Sequence, residues 1–163
     1  MQKRAIEVQI LSEYNGLIDE SWVQNVADST LFFADPQGNS SANIFITNAE
    51  TLHDLNFRFR GFDESTDVLS FPQSIDTETE VIFPIFPDEE SLGDVVISFN
   101  HAKSQAKSHN VPFEQELALL IVHGVLHLLG HDHAEPGETA EMQGLEKIIL
   151  DDFFARTKSW TPT

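Results

Sequence analysis

One segment constrains this chain more than any other: residues 113–129 have a strongly helical pattern, are almost wholly apolar after Glu116, carry two histidines and stop at Gly130. Pro112 precedes the segment, and proline is tolerated in the first turn of a helix. Glycine is the residue that most often follows the last turn. The pattern therefore predicts a helix that is apolar on nearly all sides, which other elements must surround.

The two histidines of this predicted helix begin a metal-binding pattern. His123 and His127 are four residues apart, so both imidazoles lie on one face, one turn apart. Gly130 permits a left-handed turn, after which His133 can join them around one ion. Three neutral imidazoles leave a fourth tetrahedral position for water, as in catalytic zinc sites. His131 is the alternative third ligand, and the pattern favours His133.

Other interpretations of these residues remain open. A single histidine on an apolar helix is usually a satisfied core residue, but two would each need a buried partner. Metzincin peptidases share the ligand spacing and carry a glutamate base after the first histidine, where this chain has Gly124. Asp132 is expected to be a loop carboxylate, or else to orient a ligand. Glu116, two turns before His123, is expected to be solvated or helix-stabilising, or else to orient a ligand.

Composition narrows the class of protein. The chain has 163 residues, which favours one domain over 1–163. It has no cysteine, which excludes disulfides and thiolate zinc sites. It lacks the ~20 consecutive apolar residues of a membrane helix, so we expect a soluble, cytoplasmic protein without membrane partners. Its 27 acidic and 9 basic residues give a formal net charge of −18, which argues against binding nucleic acid.

The remaining patterns alternate between strands and helices. Period-two alternation and short apolar runs predict strands at 5–10, 44–47, 68–71 and 94–98. Helical spacing predicts helices at 20–33, 49–57, 100–109, 113–129 and 138–156, the last with a core face of Met142, Leu145, Ile148, Ile149 and Phe153. Residues 73–90 are predicted to be a loop insert. We expect an α+β fold, a small mixed sheet of about four strands packed with about five helices, with the metal site on a central helix and the following loop.

A second segment carries basic residues among aromatic ones. Arg58 and Arg60 are two of only four arginines and lie within LNFRFRG at 55–61. An arginine can bind a phosphate through two parallel N–H donors. A surface ion pair in a very acidic protein is the alternative explanation.

These segments together resemble a known family. HGVLHLLGHDH at 123–133 resembles the signature of the YbeY family of bacterial zinc-dependent endoribonucleases, and LNFRFRGFDESTDVLSFP and LGDVVIS resemble further blocks of that family in the same order. The resemblance extends over roughly residues 52–150. It implies one Zn²⁺ per chain, held by His123, His127 and His133, and Arg60 as the catalytic contact to an RNA phosphate. Ser65 departs from the family pattern, which commonly has proline there.

The resemblance also implies a function. It implies metal-dependent cleavage of single-stranded RNA in 3′-end maturation of small-subunit (16S) ribosomal RNA and in ribosome quality control. The partners would be ribosomal RNA and the ribosome, with a ribosomal protein or GTPase as a further partner, and not DNA. Because the chain is so acidic, we expect substrate contacts to use Arg58, Lys103 and Lys107 beside Arg60. A zinc peptidase, which Gly124 opposes, and a non-enzymatic ribosome-associated zinc protein, with His131 as fourth ligand, are the rival hypotheses.

Overall fold

The computed structural model describes residues 5–38, 40–73, 91–131 and 135–157. The predicted loop insert at 73–90 lies outside the described residues except for Gln73. His133 and Asp132 also lie outside them. That residues 1–163 form one domain stays a prediction.

The described strands form one mixed sheet. They are β1 (Ile6–Ile10), β2 (Ser41–Thr47), β3 (Val68–Pro72) and β4 (Ser91–Ser98). Their order across the sheet is β1-β2-β4-β3. Strands β1, β2 and β4 run parallel, and the edge strand β3 runs antiparallel to β4.

Five α-helices accompany these strands in the described part of the chain, so the predicted α+β arrangement is confirmed. They are α1 (Glu20–Ala34), α2 (Ala49–Arg60), α3 (Phe99–His109), α4 (Phe113–Leu128) and α5 (Pro136–Arg156). The first three begin at side-chain caps, in which Asp19, Asn48 and Ser98 accept hydrogen bonds from backbone N–H groups of the first turn.

The two faces of the sheet are covered by different helices. Successive side chains of a strand point to opposite faces. Val95 and Ile97 of β4 join a large apolar cluster with α1, α4 and α5. Val96, on the other face, packs in a smaller cluster with Leu52 and Leu55 of α2. The helix with the two histidines and the helix with the two arginines therefore lie on opposite faces of the sheet.

Helix α4 approaches the sheet very closely at Gly124. A Cβ atom at this position would lie only 2.4 Å from Cγ1 of Val95 on β4. On the neighbouring strand, the Ser70 hydroxyl donates a hydrogen bond to the Gly124 carbonyl oxygen, with a separation of 2.8 Å. The glycine thus sets the depth at which α4, and the histidines next to it, rest on β3 and β4.

The end of α2 differs from the prediction for a physical reason, whereas the end of α3 lies at residue 109 as predicted. Helix α2 extends past residue 57 to Arg60, because Gly61 adopts φ 76° and ends it there. Helices α3 and α4 meet at a bend of 120°, where Asn110 at φ 56° ends α3. None of the described helices alone is long and apolar enough to cross a membrane, and only this bent pair passes that test of length and composition when taken together.

Candidate active site

The two predicted ligands of α4 point at each other. The Nε2 atoms of His123 and His127 are 3.1 Å apart. Their ring centroids are separated by 4.6 Å, with the rings inclined at 72°. Two imidazole nitrogens at ~2.0–2.1 Å from one tetrahedral zinc ion lie about 3.3 Å apart. The geometry of the pair therefore fits ligation of a single ion.

A carboxylate from another helix orients the first of these histidines. Oε2 of Glu146, on α5, lies 2.7 Å from Nδ1 of His123. The Glu146 side chain is only 10% exposed. Because a carboxylate accepts hydrogen bonds, this contact assigns the proton to Nδ1 and directs the lone pair of Nε2 toward His127. Metal-binding histidines characteristically donate their other N–H in this way.

The sequence pattern did not predict Glu146 as a residue of the site. The predicted core face of α5 included Ile148, but that side chain is 56% exposed. The buried stripe consists of Met142, Glu146, Ile149 and Phe153. An acidic residue at helical spacing within an apolar stripe was the available signal, since burying a carboxylate requires a partner.

Glu116 pairs with His109 and not with either of the predicted ligands on α4. It is 4% exposed, so the prediction that it is solvated was wrong. Its Oε2 lies 3.1 Å from Nδ1 of His109. This contact joins the end of α3 to the first turn of α4. The carboxylate that orients a predicted ligand is Glu146 instead.

The chain turns after α4 as the pattern predicts. Gly130 adopts φ 97°, a left-handed conformation. The N–H of His131 donates to the carbonyl oxygen of Leu126 at 3.1 Å, so the chain folds back over the end of the helix. Residues 5–38, 40–73, 91–131 and 135–157 contain no group of three metal-binding side chains. The assignment of His133 as third ligand stays a prediction.

Position 124 cannot carry the glutamate of a metzincin peptidase. The atom that any side chain would add first falls 2.4 Å from Val95 and 3.3 Å from Cγ2 of Val68. Position 124 faces the sheet, whereas the neighbouring His123 contacts Glu146 on α5. A base at this point of the helix is therefore excluded by packing.

The two arginines of the second segment occupy the last turn of α2. Arg58 forms an exposed ion pair with Asp54, with 3.3 Å between Nη1 and Oδ2. Arg60 instead places its guanidinium carbon 5.2 Å from the ring centroid of Phe62. Among the ion pairs of the described residues, none involves Arg60. The Arg60 guanidinium is therefore available to bind an anionic ligand.

The end of α2 and helix α4 contact the same edge strand, β3, from opposite faces. The ring of Phe59 contacts that of Phe71 on β3, with centroids 5.4 Å apart. The adjacent Ser70 makes the hydrogen bond to Gly124 described above. Lys103 and Lys107 are exposed on α3. The structure therefore brings His123 and His127 together, and the four basic residues are exposed on α2 and α3.

Comparison with known proteins identifies a family that this chain matches. Residues 9–154 match the model of the family described as Endoribonuclease YbeY. The curated protein of that name from Roseiflexus castenholzii is 39% identical over 147 residues, 89% of this chain and 90% of its own length. That from Listeria innocua is 36% identical over 154 residues, covering 91% and 96%.

A solved structure shares the fold. The solution structure of TM1509 from Thermotoga maritima superimposes with a TM-score of 0.62, over 95% of this chain and 93% of that one. Its sequence identity is 24%, so this similarity concerns the fold alone. Taken with the family match and the curated relatives, it leads to one conclusion: this chain belongs to the YbeY family.

Proposed function

We propose that this protein is a metal-dependent endoribonuclease that cleaves single-stranded RNA. The observation that carries the proposal is the His123–His127 pair, with Nε2 atoms 3.1 Å apart and one ring held by Glu146. The relatives that share 36–39% of their residues with this chain bear the name endoribonuclease. Chemistry and kinship thus support the same activity.

We propose one Zn²⁺ per chain, held by His123, His127 and His133. Zinc, when bound, supplies Lewis-acid polarisation of the scissile phosphate and activates water. Glu146 keeps the Nδ1 proton of His123 in place, so that its Nε2 presents a lone pair. Arg60 would bind a phosphate oxygen and stabilise the negative charge that develops on it during cleavage. Its freedom from carboxylates among the described residues supports this role.

We further propose ribosomal RNA as the substrate, in 3′-end maturation of 16S RNA and in ribosome quality control in the cytoplasm. The ribosome, with a ribosomal protein or GTPase, would be the partner. The net charge of −18 repels RNA in general, and only a few basic residues (Arg58, Arg60, Lys103 and Lys107) are candidates to offset this repulsion. A partner that itself binds the RNA would supply the remaining affinity. Kinship with the YbeY family supports this assignment.

Cleavage by the purified chain tests the proposal. We expect a labelled single-stranded oligoribonucleotide to be cut, its duplex to be spared, and a peptide library to remain intact. Chelation should abolish cutting and added Zn²⁺ should restore it. Arg60→Ala should reduce cutting about 100-fold with unchanged zinc content, whereas Arg156→Ala should not. Undiminished cleavage of RNA after complete removal of metal would contradict the proposal, as would cleavage of peptides alone.

A further inference from the structure

Exposed aromatic side chains concentrate at one end of α2. Phe57, Phe59 and Phe62 are 56%, 38% and 50% exposed. The other large apolar side chains that are exposed in the described residues, Leu17, Phe32 and Ile148, lie elsewhere in the fold. Single exposed apolar residues are ordinary, but a group of them marks a binding surface. We call Phe57, Arg58, Phe59, Arg60 and Phe62 the α2 tip.

The backbone holds the α2 tip in a defined shape. Gly61 ends the helix in a left-handed conformation at φ 76°. The N–H of Phe62 donates to the carbonyl oxygen of Asn56 at 3.3 Å, so Phe62 folds back against the last turn. There the guanidinium carbon of Arg60 lies 5.2 Å from its ring centroid. A cation and an aromatic ring are therefore presented together before any ligand binds.

The aromatic rings differ in how firmly they are attached to the domain. Phe59 packs against Phe71 of the edge strand, at 5.4 Å between centroids, and is the least exposed of the three. Phe57 and Phe62 each expose half or more of their surface. Phe59 thus fixes the tip to β3, and the other two rings offer their surface to a ligand.

Charge indicates what that ligand is. The chain carries a net charge of −18, yet two of its four arginines lie in this tip, and Arg60 has no ion pair among the described residues. An anionic partner with flat apolar groups fits this combination. A strongly acidic protein cannot rely on phosphate contacts alone, and stacking of bases on aromatic rings adds affinity that does not depend on net charge.

We propose that Phe57 and Phe62 form a stacking surface for the bases of single-stranded RNA, beside a phosphate contact from Arg60. The inference rests on the proposed nuclease function. Phe71 and Ser70 are adjacent on β3, one touching Phe59 and the other bonded to Gly124 beside His123. The edge strand β3 therefore lies between the tip and the helix that carries the histidines, and we expect the RNA to pass along this edge of the sheet. Paired bases cannot stack on protein rings, which accounts for a preference for single strands.

Binding of a 2′-O-methyl oligoribonucleotide to the full-length zinc-loaded protein tests the proposal by fluorescence anisotropy. We expect Phe57→Ala and Phe62→Ala each to raise Kd about 5- to 10-fold. Leucine at both positions keeps apolar area without an aromatic face and should weaken binding nearly as much. Phe32→Ala, which removes an exposed aromatic ring from α1, should leave Kd unchanged. An oligonucleotide of equal length with abasic residues should bind wild type and the double variant equally.

The outcomes separate this inference from the function on which it rests. If wild type cleaves and binds RNA and the folded double alanine variant binds equally well, the stacking surface is wrong and the nuclease stands. Tight binding that needs both rings, without any cleavage, supports the surface and contradicts the nuclease. If wild type binds no RNA, both are wrong. A loss of self-association in the double variant, seen by sedimentation, would make the tip an interface between copies and overturn the inference.

Discussion

Two carboxylate–histidine pairs involve α4, and they differ in the surroundings of the imidazole ring. Glu146 and His123 are 2.7 Å apart, and Glu116 and His109 are 3.1 Å apart. Both carboxylates are buried. The His109 side chain is 59% exposed, whereas that of His123 is 28% exposed and directs Nε2 at His127. In both pairs a buried carboxylate contacts Nδ1 of a histidine. The role of each pair therefore depends on what the other ring nitrogen of that histidine faces.

The largest effect expected from this comparison is on zinc content. His127→Ala removes one of three proposed ligands, and we expect zinc to fall from about one per chain to below a tenth after dialysis, with cleavage lost. His109→Ala removes an imidazole from the other pair and should retain zinc. Elemental analysis of both folded variants measures this. Equal zinc in the two would show that the first pair is structural as well.

The next effect isolates the carboxylates. Glu146→Gln keeps the size of the side chain but weakens its hydrogen bond to His123, and we expect zinc affinity to fall about 10- to 100-fold. Glu116→Gln makes the same change in the other pair and should leave zinc affinity unaltered. Competition with a fluorescent chelator gives both constants. A similar loss in both variants would mean that general destabilisation, rather than orientation of His123, is responsible.

The packing of α4 on the sheet offers a third comparison, between Gly124 on α4 and Gly144 on α5. Gly124→Ala places a methyl group 2.4 Å from Val95 Cγ1, and we expect it to lower the free energy of unfolding by about 1–2 kcal/mol, because overpacking outweighs the gain in helix propensity. Gly144→Ala, on α5, meets nothing within 4 Å and should stabilise by up to ~1 kcal/mol. Urea unfolding distinguishes them. A stabilised Gly124→Ala would show that Val95 yields easily.

Local pattern was enough to predict the core of the candidate site. The spacing of His123 and His127 and the glycine at 130 specify a helix, one face of it and its end, all of which depend on neighbours in sequence. The role of Glu146 depends on its tertiary contact with His123, 23 residues away in the chain, and helical periodicity does not reveal that partner. The same limit explains Ile148, which shares the apolar spacing of α5 but is 56% exposed.

The position of the arginines shows what topology adds. Arg60 and His123 were expected to act on one substrate, and both lie in segments that the family resemblance joins. The sequence does not reveal that α2 covers one face of the sheet and α4 the other, because that depends on strand order and on which residues of β4 face which way. The edge strand β3 is what connects them, and it is visible only in the fold.

The smallest expected effect concerns the Glu116–His109 pair. His109→Ala leaves the Glu116 carboxylate, 4% exposed, without this hydrogen bond, and we expect unfolding to become easier by about 0.5–1 kcal/mol. The loss stays small because His109 is largely exposed and water can replace part of the contact. Urea unfolding beside Ser108→Ala, an exposed neighbour, measures it. A loss above ~3 kcal/mol would mean that this pair holds α3 against α4, and zinc lost along with it would mean that the two pairs are coupled through α4.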